Sequence, residues 1–470
     1  MVLNSLSFAA FFLVFLAVLL FLPKKLRKYW LLLGNFAFYL TWERLGPVLL
    51  LFSALMVWIC GLALEKTGRK RFYLILPVVW NVLLLAVFRY SGLLGPLFRR
   101  AGAPGLLRFR DLAVPLGLSF YTLRCISYIT EVFRGTLPAV RDPLDVIIYV
   151  SFFPQLISGP IERPGKFFRE LAAFEQMPLR DFDRIRRGSL LFVWGLFQKI
   201  ILAERLSAVT AFVFPRFETF GFCEILAASA AYTLQIYCDF AGYSDMSRGI
   251  AAMAGFRTVR NFRQPYLAAG IKSFWRRWHI SLTSWLTDHI YIPLGGNRKG
   301  LVRKYLNIII VFLVSGLWHG STLNFIFWAM LHAAFQIAAD LWDRTGKKLP
   351  DFIRRLITLA EVNFAWIFFN AGGLNRGVRI IRQMFSRFSV PFGTAGSGLS
   401  AGNWVVLLCG LAVLLAVDIL HEKGISVQER AGSLPLPLRW LLLLGFFWSV
   451  IMLGIYGVGY DTSGFIYARF

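Results

Sequence analysis

Gly46-Pro-Val-Leu-Leu-Leu-Phe-Ser-Ala-Leu-Met-Val-Trp-Ile-Cys-Gly-Leu-Ala-Leu64 carries no charged side chain, and after Glu65 comes the basic cluster Lys66-Thr67-Gly68-Arg69-Lys70-Arg71. One helical crossing of a bilayer core takes about 20 apolar residues, and lysine and arginine collect on the cytoplasmic side of such crossings. The stretch therefore reads as a transmembrane helix whose C-terminal end lies inside. Similar runs stand at 5–22, 29–42, 72–89, 112–133, 188–204, 224–243, 305–319, 323–341, 354–371, 404–421 and 437–457. The fold expected is all-α: a polytopic transmembrane helical bundle of about 11–12 membrane segments, some short or re-entrant. Residues 1–470 are expected to form one integrated membrane-embedded domain.

Composition agrees with that expectation. Of 470 residues, 57% are hydrophobic and 16% charged, against roughly 25% charged in a soluble domain, and mean hydropathy is +0.61. These values exclude an ordinary soluble enzyme. The net charge of +26 would suggest nucleic acid in a soluble chain. Here the basic residues fall in short clusters between apolar runs, such as Lys24-Lys25-Leu26-Arg27-Lys28, as cytoplasmic loops require. The partner implied is a lipid bilayer, not nucleic acid. The run Phe8–Leu22 has no positive residue before it and a basic cluster after it, so it is expected to stay as a first helix with its N-terminus outside.

Three regions depart from the simple pattern. The loop Arg89–Arg110 should lie outside by alternation yet carries Arg89, Arg99, Arg100, Arg108 and Arg110. The apolar stretch Tyr149–Pro164 contains Pro154, Gly159 and Pro160. Backbone broken in this way at membrane depth must be buried in protein or line a wet cavity, because lipid offers its amides no partners. The third region, Arg257–Lys304, is basic and rich in candidate chemistry.

The chain has five histidines: His279, His289, His319, His332 and His421. Imidazole is the side chain best suited to proton transfer near neutral pH. His319 ends an apolar segment in Val314-Ser-Gly-Leu-Trp-His-Gly-Ser321, where glycines on both sides are expected to clear space for a substrate. An imidazole at membrane depth marks a functional site or is packed against a carbonyl. His279 lies in Lys272-Ser-Phe-Trp-Arg-Arg-Trp-His-Ile-Ser-Leu282, where helical spacing would set Trp275, Trp278 and Trp285 near one face. That block reads either as an interfacial helix with headgroup-binding arginines or as a site in which Arg276 and Arg277 meet a phosphorylated substrate. Tyr291-Ile-Pro-Leu-Gly-Gly-Asn-Arg-Lys-Gly300 adds a glycine turn with Arg298 and Lys299, without P-loop or Rossmann spacing. Asp239 and Asp245, in Tyr237-Cys-Asp-Phe-Ala-Gly-Tyr-Ser-Asp245, are expected to serve as charge partners for the arginines that follow, or as proton-relay groups of a transporter. The five cysteines are widely spaced without a C-x-x-C pair, so neither a disulfide nor a metal site is expected.

Taken together, these blocks resemble the membrane-bound O-acyltransferase (MBOAT) family in its bacterial alginate O-acetyltransferase, AlgI-like, branch. The resemblance is carried in order by Pro115–Thr122, Phe152–Ile161, Tyr237–Asp245, Phe274–Leu282, Tyr291–Arg298, Leu317–Gly320 and Gly464–Phe470. It departs at Leu331-His-Ala333, where the family has L-H-G, and at the terminal Tyr467-Ala-Arg-Phe470. The resemblance implies helices around a funnel or tunnel, with His319 as catalytic base and His279 as a second catalytic histidine. It implies acetyl-CoA or another acyl thioester as donor substrate and no tightly bound cofactor. Arg276, Arg277, Arg298 and Lys299 become the candidates for the donor's phosphates.

The resemblance further implies a bacterial inner-membrane location and a periplasmic or extracellular partner of the SGNH-hydrolase-like type. That partner would pass the acetyl group to a polysaccharide such as alginate. Rival readings are D-alanyl transfer to teichoic acid (DltB-like), peptidoglycan O-acetylation (PatA-like), and a proton-coupled transporter or flippase using Asp239 and Asp245.

Overall fold

A computed structural model describes residues 1–66, 68–100, 114–178, 180–388 and 398–455, with the backbone alone over 91–100. All regular structure among the described residues is helical, and a helix forms at each apolar run named above. Among the described residues six helices are long and apolar enough to cross a membrane: Leu45–Lys66, Lys70–Tyr90, Gly300–His319, Leu323–Arg344, Ala401–Glu422 and Leu436–Leu453. The shorter Leu6–Phe21 is apolar as well. The chain is a multi-pass membrane protein. The run 305–319, short for a crossing by itself, becomes long enough because the helix starts at Leu301.

Contacts divide the chain into two compact units. The first comprises Met1–Ser189 and Ser247–Val259, the second Leu190–Met246 and Arg260–Phe470.

In the first unit, the basic cluster at Lys24 is the opening turn of the helix Lys24–Leu40 and not a loop. Its Arg27 is buried and donates to the carbonyls of Phe174, Glu175 and Met177, at and just beyond the end of Pro164–Gln176. A cation there satisfies carbonyls that lack helical partners and complements the helix dipole. Arg89 likewise lies within the helix Lys70–Arg100 and donates to the Ser119 hydroxyl at 2.6 Å. Arg108 and Arg110 of the expected loop, and the terminal block Gly464–Phe470, lie outside the described residues.

The broken stretch is buried from residue 151 to residue 162. The helix Pro143–Ser151 gives way to a turn at Phe153–Gln155 and then to irregular chain. Side chains from neighbouring helices take over its polar groups. Asn35 donates to the Ser151 hydroxyl and accepts from the Phe153 N–H. Arg124, fully buried, donates to the Tyr149 carbonyl and to the Gln155 side chain. Packing within protein is thus what makes this backbone tolerable.

The second unit carries both histidine blocks. Leu301–His319 and Leu323–Arg344 form an antiparallel hairpin across Gly320-Ser-Thr322, and Asp351–Asn370 packs against Leu323–Arg344. Upstream, residues 260–291 form a series of short turns: Pro265–Leu267, Ile271–Trp275, Ile280–Leu286 and Thr287–Tyr291. This corrects the single helix assumed for the tryptophan block. The break falls at His279, whose backbone is left-handed (φ 43°, ψ 52°), a region that histidine enters more readily than most residues.

Candidate active site

His319 is the last residue of its helix and is buried. The hairpin closes tightly behind it. A methyl at Gly316 would stand 2.7 Å from the Phe325 carbonyl oxygen and 2.8 Å from the Ala329 methyl, and one at Gly320 would stand 2.3 Å from the Phe325 ring. The glycines beside His319 therefore serve close packing between the two helices. The open space expected around them is filled by Phe325.

Aromatic rings pack around the imidazole. Ring centroids lie 4.9 Å away for Trp318, 5.1 Å for Trp328 and 5.4 Å for Phe369, each near edge-on. Trp318 also approaches His279, at 6.2 Å. His279 also packs edge-on against Phe240, at 4.7 Å, from the Tyr237–Asp245 block. Three separated sequence blocks thus converge on one tryptophan and two histidines.

The turn presenting His279 is held by Asn261. The Ile280 N–H donates to the Asn261 carbonyl at 2.8 Å, and the Ser281 hydroxyl donates to its side-chain oxygen at 2.6 Å. Alongside, the Arg263 N–H donates to the Arg277 carbonyl at 2.9 Å. Burial pushes the His279 pKa down to about 3, outweighing the backbone hydrogen bond that opposes it. The residue is a neutral imidazole, able to accept one hydrogen bond and donate another.

The four cations expected to meet the donor are placed differently from one another. Arg277 makes a two-pronged pair with Glu422, at 2.7 and 2.9 Å. Arg276 is exposed. Arg298 and Lys299 are exposed on the turn after Gly295 and Gly296, which Asn307 anchors through the Gly296 carbonyl at 2.8 Å. His289 stacks on Trp285 at 4.4 Å, with its Nδ1 3.0 Å from the Trp285 carbonyl.

Several groups in this unit were not legible as partners from sequence. Asp340 gathers Lys272 at 2.7 Å, Lys304 at 2.6 Å, Arg344 at 3.2 Å and the Tyr305 hydroxyl at 3.1 Å. Of these, Arg344 alone stands at the helical i+4 spacing that sequence can reveal. Asp239 sits inside the helix Phe222–Ala254 and pairs with Lys199 at 2.5 Å, and Lys199 also reaches Glu204 at 2.9 Å. A π-helical turn at Phe197–Ala203 carries this buried lysine. Such turns occur often at functional sites.

Comparison with known proteins gives the family. The model of the membrane-bound O-acyltransferase family matches residues 120–378. The chain is 34% identical to the probable alginate O-acetylase AlgI of Pseudomonas syringae pv. tomato, over 92% of this chain and 86% of the relative. It is 35% identical to the protein of the same name in Pseudomonas aeruginosa, over 88% and 80%. A peptidoglycan O-acetyltransferase of Helicobacter pylori is 32% identical over 76% and 73%. A helical multi-pass membrane enzyme that transfers acyl groups to hydroxyls is the class these findings define. The chain belongs to the membrane-bound O-acyltransferase family.

Proposed function

We propose that this enzyme takes an acetyl group from a cytoplasmic thioester and delivers it across the membrane for O-acetylation of a cell-surface or secreted polysaccharide such as alginate. The observation that carries the proposal is that His319 and His279, both buried, each pack against Trp318. A hydroxyl is a poor nucleophile at neutral pH, and a positioned base contributes typically about 10²–10⁴-fold. His319 takes the hydroxyl proton as the oxygen attacks the thioester carbonyl carbon. The C–S bond then breaks, and the departing thiolate receives the proton from the imidazolium. His279, held neutral, orients the thioester or the attacking hydroxyl.

The donor is acetyl-CoA or another acyl thioester, acting as substrate. Arg276, Arg298 and Lys299 are exposed cations suited to its phosphates. Arg277 takes that role only by exchanging Glu422 for a phosphate. The immediate acceptor is an SGNH-hydrolase-like partner outside the bacterial inner membrane, which esterifies the polymer. The alginate O-acetylase relatives support polysaccharide as the final acceptor, and the Helicobacter relative supports peptidoglycan as the second possibility.

The test measures O-acetyl esters in the secreted polysaccharide and in the peptidoglycan of the source bacterium, with wild type and His319→Ala expressed at equal level. Loss from the polysaccharide supports the proposal. Loss from peptidoglycan alone moves the acceptor to that polymer, and loss from neither fraction removes acetyl transfer by His319.

A further inference from the structure

The interior beside His319 contains hydrogen-bonding atoms that the reaction described above does not use. His332, in Leu323–Arg344, is fully buried. Its ring is enclosed by Trp275 at 4.9 Å, Trp328 at 5.1 Å, Phe312 at 6.1 Å and Trp366 at 6.2 Å. Neither of its nitrogens has a hydrogen-bond partner among the described residues. The same holds for the buried indole N–H groups of Trp275, Trp328 and Trp366. Buried polar atoms in proteins are nearly always bonded, so a cluster of unsatisfied ones calls for a ligand or a function. An aromatic enclosure gains nothing from an imidazole that bonds to nothing, because an apolar ring of similar shape fits it without leaving polar atoms unsatisfied.

The cluster adjoins the proposed base directly. Trp328 packs at 5.1 Å from His319 and at 5.1 Å from His332, so one indole contacts both imidazoles. An indole nitrogen only donates, and a neutral imidazole has one donating nitrogen. Acyl transfer has a matching need. As the hydroxyl oxygen attacks, the carbonyl π electrons move onto the carbonyl oxygen, and donors fixed at that oxygen in a water-poor site stabilise the charge. His319, acting as base, cannot supply them.

We propose that Trp328 and His332 donate the hydrogen bonds that hold the acyl carbonyl oxygen, which makes the aromatic enclosure beside His319 the seat of the acyl group. This rests on the reading of His319 as base. No proton moves to the carbonyl oxygen. Its charge builds as the C–O bond to the acceptor forms and returns to the carbonyl when the C–S bond breaks.

The experiment compares the full-length wild type with His332→Phe, His332→Gln, Trp328→Phe and His319→Ala in the source bacterium. The rate of O-acetyl ester formation is read in the polysaccharide and peptidoglycan fractions, and the thermal midpoint is read on each protein purified in detergent. His332→Phe is expected to lower the rate roughly 100-fold, the usual consequence of losing one such donor, with an unchanged or raised thermal midpoint. His332→Gln, which keeps an N–H, is expected to recover part of the rate, and Trp328→Phe to lose rate as His332→Phe does.

An unchanged rate in His332→Phe overturns the proposal. So does a rate loss that merely follows a lowered midpoint without recovery in His332→Gln, since that assigns His332 to packing. His319→Ala separates the two readings: activity retained there removes the base itself, whereas an inactive His319→Ala beside a fully active His332→Phe leaves the base and removes only the donors.

Discussion

His279 and Trp318 come from different sequence blocks, and their ring centroids lie 6.2 Å apart. Trp318 also touches His319 at 4.9 Å, so one indole contacts both imidazoles. Trp318→Ala is expected to reduce acyl transfer roughly 100-fold, the scale at which a shift of about 1 Å in a catalytic group is felt. Trp318→Phe, which keeps a flat ring there, is expected to lose far less. Equal rates for the two variants would show that the ring does not set the geometry.

Gly320 lies beneath the Phe325 ring, and an added methyl would meet that ring at 2.3 Å. Gly320→Ala is expected to destabilise the protein by about 1–3 kcal/mol, the usual range for overpacking. Adding Phe325→Ala to the same chain is expected to remove part of that loss, because contacting residues couple. Thermal midpoints of the purified single and double variants provide the measurement. Strict additivity would place the strain elsewhere.

Lys199 is buried between Asp239 and Glu204, at 2.5 and 2.9 Å. Removing one partner of a buried ion pair leaves the other charge uncompensated, at about 3–5 kcal/mol. Lys199→Met is therefore expected to unfold at a distinctly lower temperature than wild type. Lys199→Met with Asp239→Leu is expected to be more stable than Lys199→Met alone. A double variant that is worse than either single would contradict a direct pair.

His279 titrates far below a free histidine, near pH 3 against 6.5, because it is buried. Between these values the unfolded chain binds a proton that the folded chain does not. Stability is therefore complete above about pH 6.5 and falls as pH decreases, by up to about 1.4 kcal/mol per unit, levelling near pH 3. His279→Gln removes this contribution, so its thermal midpoint is expected to fall less steeply than wild type from pH 6.5 to 4. Parallel curves would mean that His279 is solvated in the folded protein.

Much of the architecture was legible in the chain because membrane helices are written in local composition. The run from Gly46 to Leu64 needs no distant partner to be recognised, since length, apolarity and the following cations suffice. Loops were less legible. The cluster at Lys24 reads as a loop by charge alone, but Arg27 and its neighbours open a helix because carbonyls near Phe174 and Met177 accept its guanidinium. The Trp275–Trp285 stretch follows helical spacing, yet it breaks at His279 because Asn261, from an earlier segment, takes the hydrogen bonds that hold the turn.

By itself, then, the sequence determined that this is a helical membrane protein and where its apolar helices fall, because apolar run length is a local property, and its short blocks carried the resemblance to an acyltransferase family. The tertiary structure alone decided what those blocks touch: Trp318 against both histidines, Phe325 over Gly320, Lys199 with Asp239, and His332 closed in by tryptophans. The decisive ones, Trp318 with His279, Lys199 with Asp239 and Trp275 with His332, join residues far apart in the chain. They exist because apolar rings and buried charges must find partners in three dimensions, a requirement that leaves no spacing to read along the chain.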